Sequence, residues 1–286
     1  MPLFFRLKNY YTERNNMHVL SKILLLTVMG TGIHYTPAGA QDAISENGLQ
    51  VMHDLEYKEQ AAGSAPVLKL DVYRSSQNPP KMRPAILFVH GGGFWEGDKS
   101  SSLYVKMATA FALNGYVSVS VNYTLKKETE PYSRSILERD ISDVLAALHW
   151  VRENSTRLRI DISKLIICGD SAGGGIVINL SYDPVNNKYF AGCIDLWGGL
   201  PGDRGWNAPV FPGHLTRETP ATCILHGTTD RIVPFQTSQA LGLKLKTAGI
   251  PYELHPLKDA NHYPVQLADQ FIPVLIAFAN KVLHRK

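Results

Sequence analysis

The sequence predicts an α/β fold, a mostly parallel central sheet with helices on both faces, and three observations predict it. Short runs that are apolar throughout or nearly so recur along the chain, as strands buried on both faces require. Segments with apolar residues at helical spacing separate them, and a repeating strand–helix order implies right-handed crossovers. A glycine-flanked serine, Ser171, stands directly behind one of the apolar runs, where a strand would turn into a helix.

Taken in order, the stretch before Met17 is polar and aromatic and unlike the basic head of a targeting segment, which suggests translation from Met17. Lys22 then precedes the apolar run Ile23 to Met29, and Ala38-Gly39-Ala40 precedes Gln41, the pattern of a cleavable secretory signal peptide over residues 1–40. The run is shorter than the roughly 20 residues of a membrane-spanning helix, so no stable membrane span is expected. Export, periplasmic or secreted, is the expected localisation, with residues 41–286 as one folded domain.

Gln41 to Ser64 is polar with little periodicity, and Val67 to Tyr73 then alternates as an early antiparallel strand should. The turn Ser75 to Lys81, rich in Ser, Asn and Pro, closes it. Compact apolar strands follow at Ala85 to Val89, Tyr116 to Val121 and Leu165 to Cys168. Helices are expected at Leu103 to Leu113 and at Ile136 to Glu153, where Ile141, Val144, Leu145, Leu148 and Val151 recur at helical spacing. Strands at Ala191 to Leu196, Thr222 to Leu225 and Tyr252 to Leu254, with helices at Ser238 to Ala248 and Pro264 to His284, complete the alternation.

Composition narrows the chemistry mainly by exclusion. A formal charge of +4, from 29 basic and 25 acidic residues, is a mild excess without a long Lys/Arg run, so no nucleic-acid partner is expected. Cys168, Cys193 and Cys223 each sit inside an apolar run, which reads as buried, reduced thiols even in an exported protein. The ten histidines are scattered and no Cys/His cluster has metal spacing, so no metal is expected.

The strongest motif is Cys168-Gly169-Asp170-Ser171-Ala172-Gly173-Gly174, a G-x-S-x-G sequence between an apolar strand and a helix-compatible segment. A serine there occupies a sharp strand-to-helix turn that lifts its hydroxyl clear of the backbone, and Gly169 and Gly173 leave room for neighbouring chain. His90-Gly91-Gly92-Gly93-Phe94-Trp95 ends another strand in a Cβ-free loop that can aim N–H groups at a developing negative charge. Gly92, Gly93 and Ala172 are the expected oxyanion donors. A phosphate-binding loop fails as a rival, because no G-K-[ST] or G-x-G-x-x-G follows.

A serine hydroxyl needs a base to take its proton, and that base needs a third group to hold one tautomer. Asp230 lies in the loop after an apolar strand, His262 lies after the last strand and before the final helix, and Ser, Asp, His is the order this arrangement requires. Asp259 is a rival orienter on proximity in sequence, and Asp195, inside a strand, is less well placed. His90 and His226 end strands and read as braces for the two loops, and Asp170 as a structural partner near the serine turn.

These residues resemble the α/β-hydrolase carboxylesterases related to hormone-sensitive lipase, and especially the compact bacterial esterases that include feruloyl and acetylxylan esterases. The resemblance runs from about Leu68 to the C-terminus, through His90 to Trp95, Asn122-Tyr123, Asp140 to Asp161, Gly169 to Gly174 and the Asp230 and His262 loops. It implies an α/β-hydrolase fold and an esterase that uses Ser171, His262 and Asp230 through an acyl-enzyme, without cofactor, on short-chain or carbohydrate-linked esters. Many relatives carry a substantial N-terminal cap, whereas this chain offers a short segment before the first strand and a short connection from Leu196 to Thr222. No large lid is therefore expected, and Trp95, Tyr123, Trp197 and Leu200 become candidates for the walls of an open pocket. Large aromatics also serve as core packing. A peptidase or formamidase of the same fold is the alternative, against which Ala172 stands where such peptidases often carry a bulky aromatic. A non-catalytic binding module is the third reading, and the sequence assigns no oligomeric state.

Overall fold

A computed structural model of the protein describes residues 42–44, 48–58, 67–77, 82–200 and 215–284. The expected signal peptide over 1–40 lies outside the described residues, as do 78–81 of the turn after the first expected strand and 201–214 of the connection between Leu196 and Thr222.

Among the described residues the sheet has nine strands: β1 (Asp42–Ile44), β2 (Leu49–Lys58), β3 (Leu68–Ser75), β4 (Arg83–Val89), β5 (Val117–Val121), β6 (Ile160–Asp170), β7 (Gly192–Leu196), β8 (Ala221–Gly227) and β9 (Tyr252–Leu257). Their order across the sheet is β1-β2-β3-β5-β4-β6-β7-β8-β9. β1, β2 and β3 pair antiparallel and β3 joins β5 antiparallel, while every pairing from β5 through β9 is parallel. The helices are α1 (Ser102–Leu113), α2 (Arg134–Glu153), the single turn α3 (Ser155–Leu158), α4 (Ser171–Tyr182), α5 (Phe235–Thr247) and α6 (Ala268–Leu283). Among the described residues no helix is long and apolar enough to cross a membrane.

The central strands show why apolar runs make this sheet. On β4, Ala85, Leu87 and Val89 face the core layer under α2, α4 and α5, while Ile86 and Phe88 face the layer under α1 and α6. Both faces are covered, so period-two alternation of polarity disappears. Cys168, Cys193 and Cys223 are buried and unbridged in these strands. Chain direction across the sheet reverses at β4, which lies between β5 and β6. Loops leaving the carboxyl ends of β4 and β6 therefore flank a crevice, the usual ligand position in open α/β sheets.

The structure adds one large element to the sequence reading. β2 occupies part of the stretch read as polar and aperiodic, because a bulge between Met52 and Leu55 changes the phase of its alternation. Leu49 and Val51 pack on one face, and Met52, Leu55 and Tyr57 on the other. Asp54 takes φ 56° within this irregularity. A one-residue insertion of this kind breaks the period-two signature on which strand recognition depends.

Candidate active site

Ser171 sits where β6 passes into α4. Asp170 is still extended, at φ −114° and ψ 149°, and Ser171 turns to φ 49° as the first residue of the helix. The left-handed region costs a residue with a Cβ about 1–2 kcal/mol, so the surroundings must enforce it. They do so by close approach of backbone. A Cβ on Gly169 would lie 2.4 Å from the Gly173 carbonyl oxygen, and one on Gly173 would lie 2.2 Å from that of Val89. Both glycines of the motif are thus required by neighbouring chain.

The structure brings Ser171, His262 and Asp230 together in one relay. His262 Nε2 lies 2.9 Å from Ser171 Oγ, and its Nδ1 lies 2.7 Å from Asp230 Oδ2. Asp230 Oδ1 accepts from the amides of Ile232 at 2.8 Å and Val233 at 2.9 Å. Burial by itself would raise the Asp230 pKa, but hydrogen bonds from His226, His262 and the Ile232 amide reverse that and hold the carboxyl well below the usual carboxylate range. An Asp230 carboxylate stabilised in its ionised form and facing Nδ1 leaves Nε2 free to accept the serine proton.

Backbone contacts place the two loops. Thr229 N donates to Ala260 O at 3.0 Å, Asp259 N donates to Thr228 Oγ1 at 2.9 Å, and Arg231 N donates to Asn261 Oδ1 at 3.1 Å. The rival Asp259 is held by its own amide in this stitching, and the carboxylate that meets His262 is that of Asp230.

The glycine loop after β4 is clamped to the serine turn by Asp170. Its Oδ1 accepts from Gly91 N at 2.6 Å and from the Tyr104 hydroxyl, and its Oδ2 accepts from Trp197 Nε1 at 3.3 Å. Burial raises the pKa of this carboxyl despite these donors. Tyr123 stacks on His90 with ring centroids 4.4 Å apart and donates to the His90 carbonyl at 3.0 Å. Asn122 braces the segment beyond, accepting from Lys99 N at 2.6 Å and donating to Asp98 at 2.8 Å.

Gly92 and Gly93 take φ 109° and 59°, and neither amide has an acceptor among the described residues. Ala172 lies in the first turn of α4, where N–H groups lack intrahelical partners. A carbonyl oxygen developing charge beside Ser171 would thus meet unengaged donors.

These groups line a cleft of about 550 Å³ that includes His90 to Gly93, Trp95, Ser171 and His262, with Ile232 and Tyr263 at its exposed rim. Trp95 lines it. Tyr123 and Trp197 do not: they are 2% and 0% exposed and belong to the packing beneath the loops, and Leu200, 1% exposed, is buried against Gly175. A strained turn needs a rigid floor, and these side chains supply it. Sequence reasoning missed Tyr104, which carries no motif and lies on the buried stripe of α1, and missed Tyr263 and Ile232 at the rim.

Strand order, the serine turn after β6 and the loops after β4, β8 and β9 define an α/β-hydrolase fold. A family model described as BD-FAE matches residues 70–190, and one described as the prolyl oligopeptidase family matches 201–284. The chain is 23% identical over 222 residues to Esterase LipC of Mycobacterium tuberculosis, covering 64% of this chain and 53% of that protein. It is 40% identical over 101 residues to Carboxylesterase NlhH of the same organism, covering 34% of this chain and 30% of that protein. The chain thus spans about half, or less, of the length of these curated relatives. Among solved structures, a truncated carbohydrate esterase from gut microbiota superposes with a TM-score of 0.67 at 18% identity, covering 83% of this chain and 98% of that one. By fold the chain is an α/β-hydrolase, and the two curated relatives named here are esterases.

Proposed function

We propose that the protein is a serine carboxylic-ester hydrolase acting through an acyl-enzyme, with Ser171 as nucleophile, His262 as general base and Asp230 as its orienting acid. The observation that carries this reading is the continuous relay, 2.9 Å from Ser171 Oγ to His262 and 2.7 Å on to Asp230, opening onto a cleft with unengaged Gly92 and Gly93 amides. Ser171 Oγ bonds to the ester carbonyl carbon as its proton passes to His262 Nε2, and the carbonyl electrons move onto an oxyanion held by the amides of Gly92, Gly93 and Ala172. The oxyanion collapses, the C–O bond breaks, and the leaving alcohol takes the proton from His262. Water then gives a proton to His262 and attacks the acyl carbon, and as the bond to Ser171 Oγ breaks the acid leaves and Oγ takes that proton back from His262.

Short-chain or carbohydrate-linked esters suit the cleft. It is open, its exposed aromatics Trp95 and Tyr263 can pack against a ring, and Glu96 and Ser101 offer polar partners. Likeness in fold to a carbohydrate esterase points the same way. The signal-peptide pattern over residues 1–40 supports export, which N-terminal sequencing of protein recovered from periplasm and medium would test.

The deciding assay is hydrolysis of p-nitrophenyl esters from acetate to octanoate, acetylated xylan and methyl ferulate, with Ser171→Ala as control. Wild type should cleave at least the short esters and the alanine variant none. Because residues 201–284 match a peptidase family, peptidyl p-nitroanilides belong in the same panel. Cleavage of those alone would overturn the ester assignment in favour of a peptidase.

A further inference from the structure

The loop that carries Asp230 is served by a second imidazole. His226, on β8, is fully buried, and both of its ring nitrogens are engaged. Nδ1 lies 2.7 Å from Ser238 Oγ on α5, and Nε2 lies 3.1 Å from Asp230 Oδ2 and 2.9 Å from the Val233 carbonyl oxygen. Neither neighbour of Nε2 has a proton to give, so Nε2 carries the hydrogen and Nδ1 accepts from the Ser238 hydroxyl. The single Nε2–H is therefore shared between the Val233 carbonyl and Asp230 Oδ2, and its bond to the carboxylate belongs to the stronger class. The oxygen it reaches is the same Oδ2 that accepts from His262 Nδ1. Oδ1 is held separately by the Ile232 and Val233 amides, so the carboxylate is anchored even without His226.

We infer that His226 is a positioning residue of the triad, which divides Asp230 Oδ2 between two imidazoles and so sets the lower end of the pH range in which His262 can act. This role rests on the triad reading above. His262 works as a base only while neutral, and Asp230 stabilises its imidazolium form. A second N–H on the same oxygen draws on the electron density that His262 Nδ1–H would otherwise have to itself. Without that donor the imidazolium is held more firmly and forms at higher pH. The His226 bond is also foremost among the contacts that offset burial at the Asp230 carboxyl.

The ionisable surroundings of His226 are few among the described residues. Its own loop presents Asp230, and the loop after β9 presents His262 on the far side of that carboxylate; β7 presents the buried Asp195, which interacts with it electrostatically. α5 contributes Ser238 and the Phe235 ring, whose centroid lies 5.8 Å from that of the imidazole, and β9 places Pro256 opposite it. Asp195 is thus the group whose titration must be separated from that of the triad.

The test is the pH dependence of kcat/KM on p-nitrophenyl acetate for wild type, His226→Leu and His226→Gln, each repeated with Asp195→Asn. In His226→Leu the acid limb should move upward by about one pH unit. Gln supplies an amide N–H near the position of Nε2–H, so His226→Gln should keep the limb at the wild-type position. The shift should persist with Asp195→Asn. A limb that stays or moves downward in His226→Leu overturns the inference, as does a shift that vanishes with Asp195→Asn. If His226→Leu does not fold, nitrogen NMR of wild type decides: a His226 proton found on Nδ1 alone while His262 titrates overturns it, and one on Nε2 throughout upholds it. An inert wild type sinks the triad reading and this role together, whereas an active wild type whose limb ignores His226 sinks this role alone.

Discussion

Gly92→Ala separates geometry at the oxyanion loop from general backbone strain. The alanine Cβ would lie 2.0 Å from the Glu96 carbonyl oxygen and 2.6 Å from its carbon, both backbone atoms that no rotamer change can move. The Gly92 carbonyl also accepts from Trp95 N at 3.1 Å and Glu96 N at 3.0 Å, so relief of the clash means opening the turn that those bonds close. A tolerable contact requires a displacement of about an ångström, and misplacement on that scale can cost around 100-fold in rate. Losing one oxyanion donor outright costs about 100- to 1000-fold, so kcat should fall by about that factor with KM little changed. Gly115→Ala is the matched control, because Gly115 has φ 90° but its alanine Cβ would have nothing within 4 Å. It should lose about 1–2 kcal/mol of stability in urea titration and keep its kcat. Steady-state kinetics on p-nitrophenyl acetate reads both. A Gly92→Ala enzyme within about threefold of wild-type kcat would refute the placement of the donor.

Two further outcomes are expected. Tyr104→Phe removes a donor from the buried Asp170 carboxylate and should cost about 1.5–3 kcal/mol in denaturant unfolding, with a parallel fall in kcat because Asp170 also holds the Gly91 amide. An unchanged unfolding midpoint would mean that the clamp carries no load. Asp195 is pushed up by burial from the ordinary 3.8 to about 7, so the unfolded chain ionises it at lower pH than the folded one does. Stability should therefore decline as the pH rises from about 4 to about 7, and Asp195→Asn should flatten part of that slope while Asp140, raised by burial to about 7, and Asp170, also raised by burial, retain the rest. Equal slopes in the two proteins, from urea midpoints across this range, would contradict the assignment.

What could be read from the sequence was the part of the fold with a local signature. Apolar strands of the parallel half, the helices between them and the glycine-bearing loops announce themselves within a few residues, because burial on both faces and close backbone approach each dictate residue type. β2 was hidden by a bulge that shifts its alternation. Tyr123 and Trp197 were misjudged for another reason: proximity to a motif in sequence does not say on which side of a loop a side chain falls, and both fall beneath it.

The support around the site was illegible on more general grounds. Asp170 and Gly91 are 79 positions apart, Tyr104 and Asp170 are 66 apart, and His262 meets Ser171 across 91. A buried polar side chain declares only that it requires a partner, and the partner comes from whichever segment the sheet order brings alongside. Strand order places the loop after β4 beside the turn after β6, and that adjacency turns a carboxylate at the end of one strand into the clamp for the glycines at the end of another. The reacting residues can be read as motifs because their loops need particular residue types; the residues that hold them in register become visible only once the topology is known.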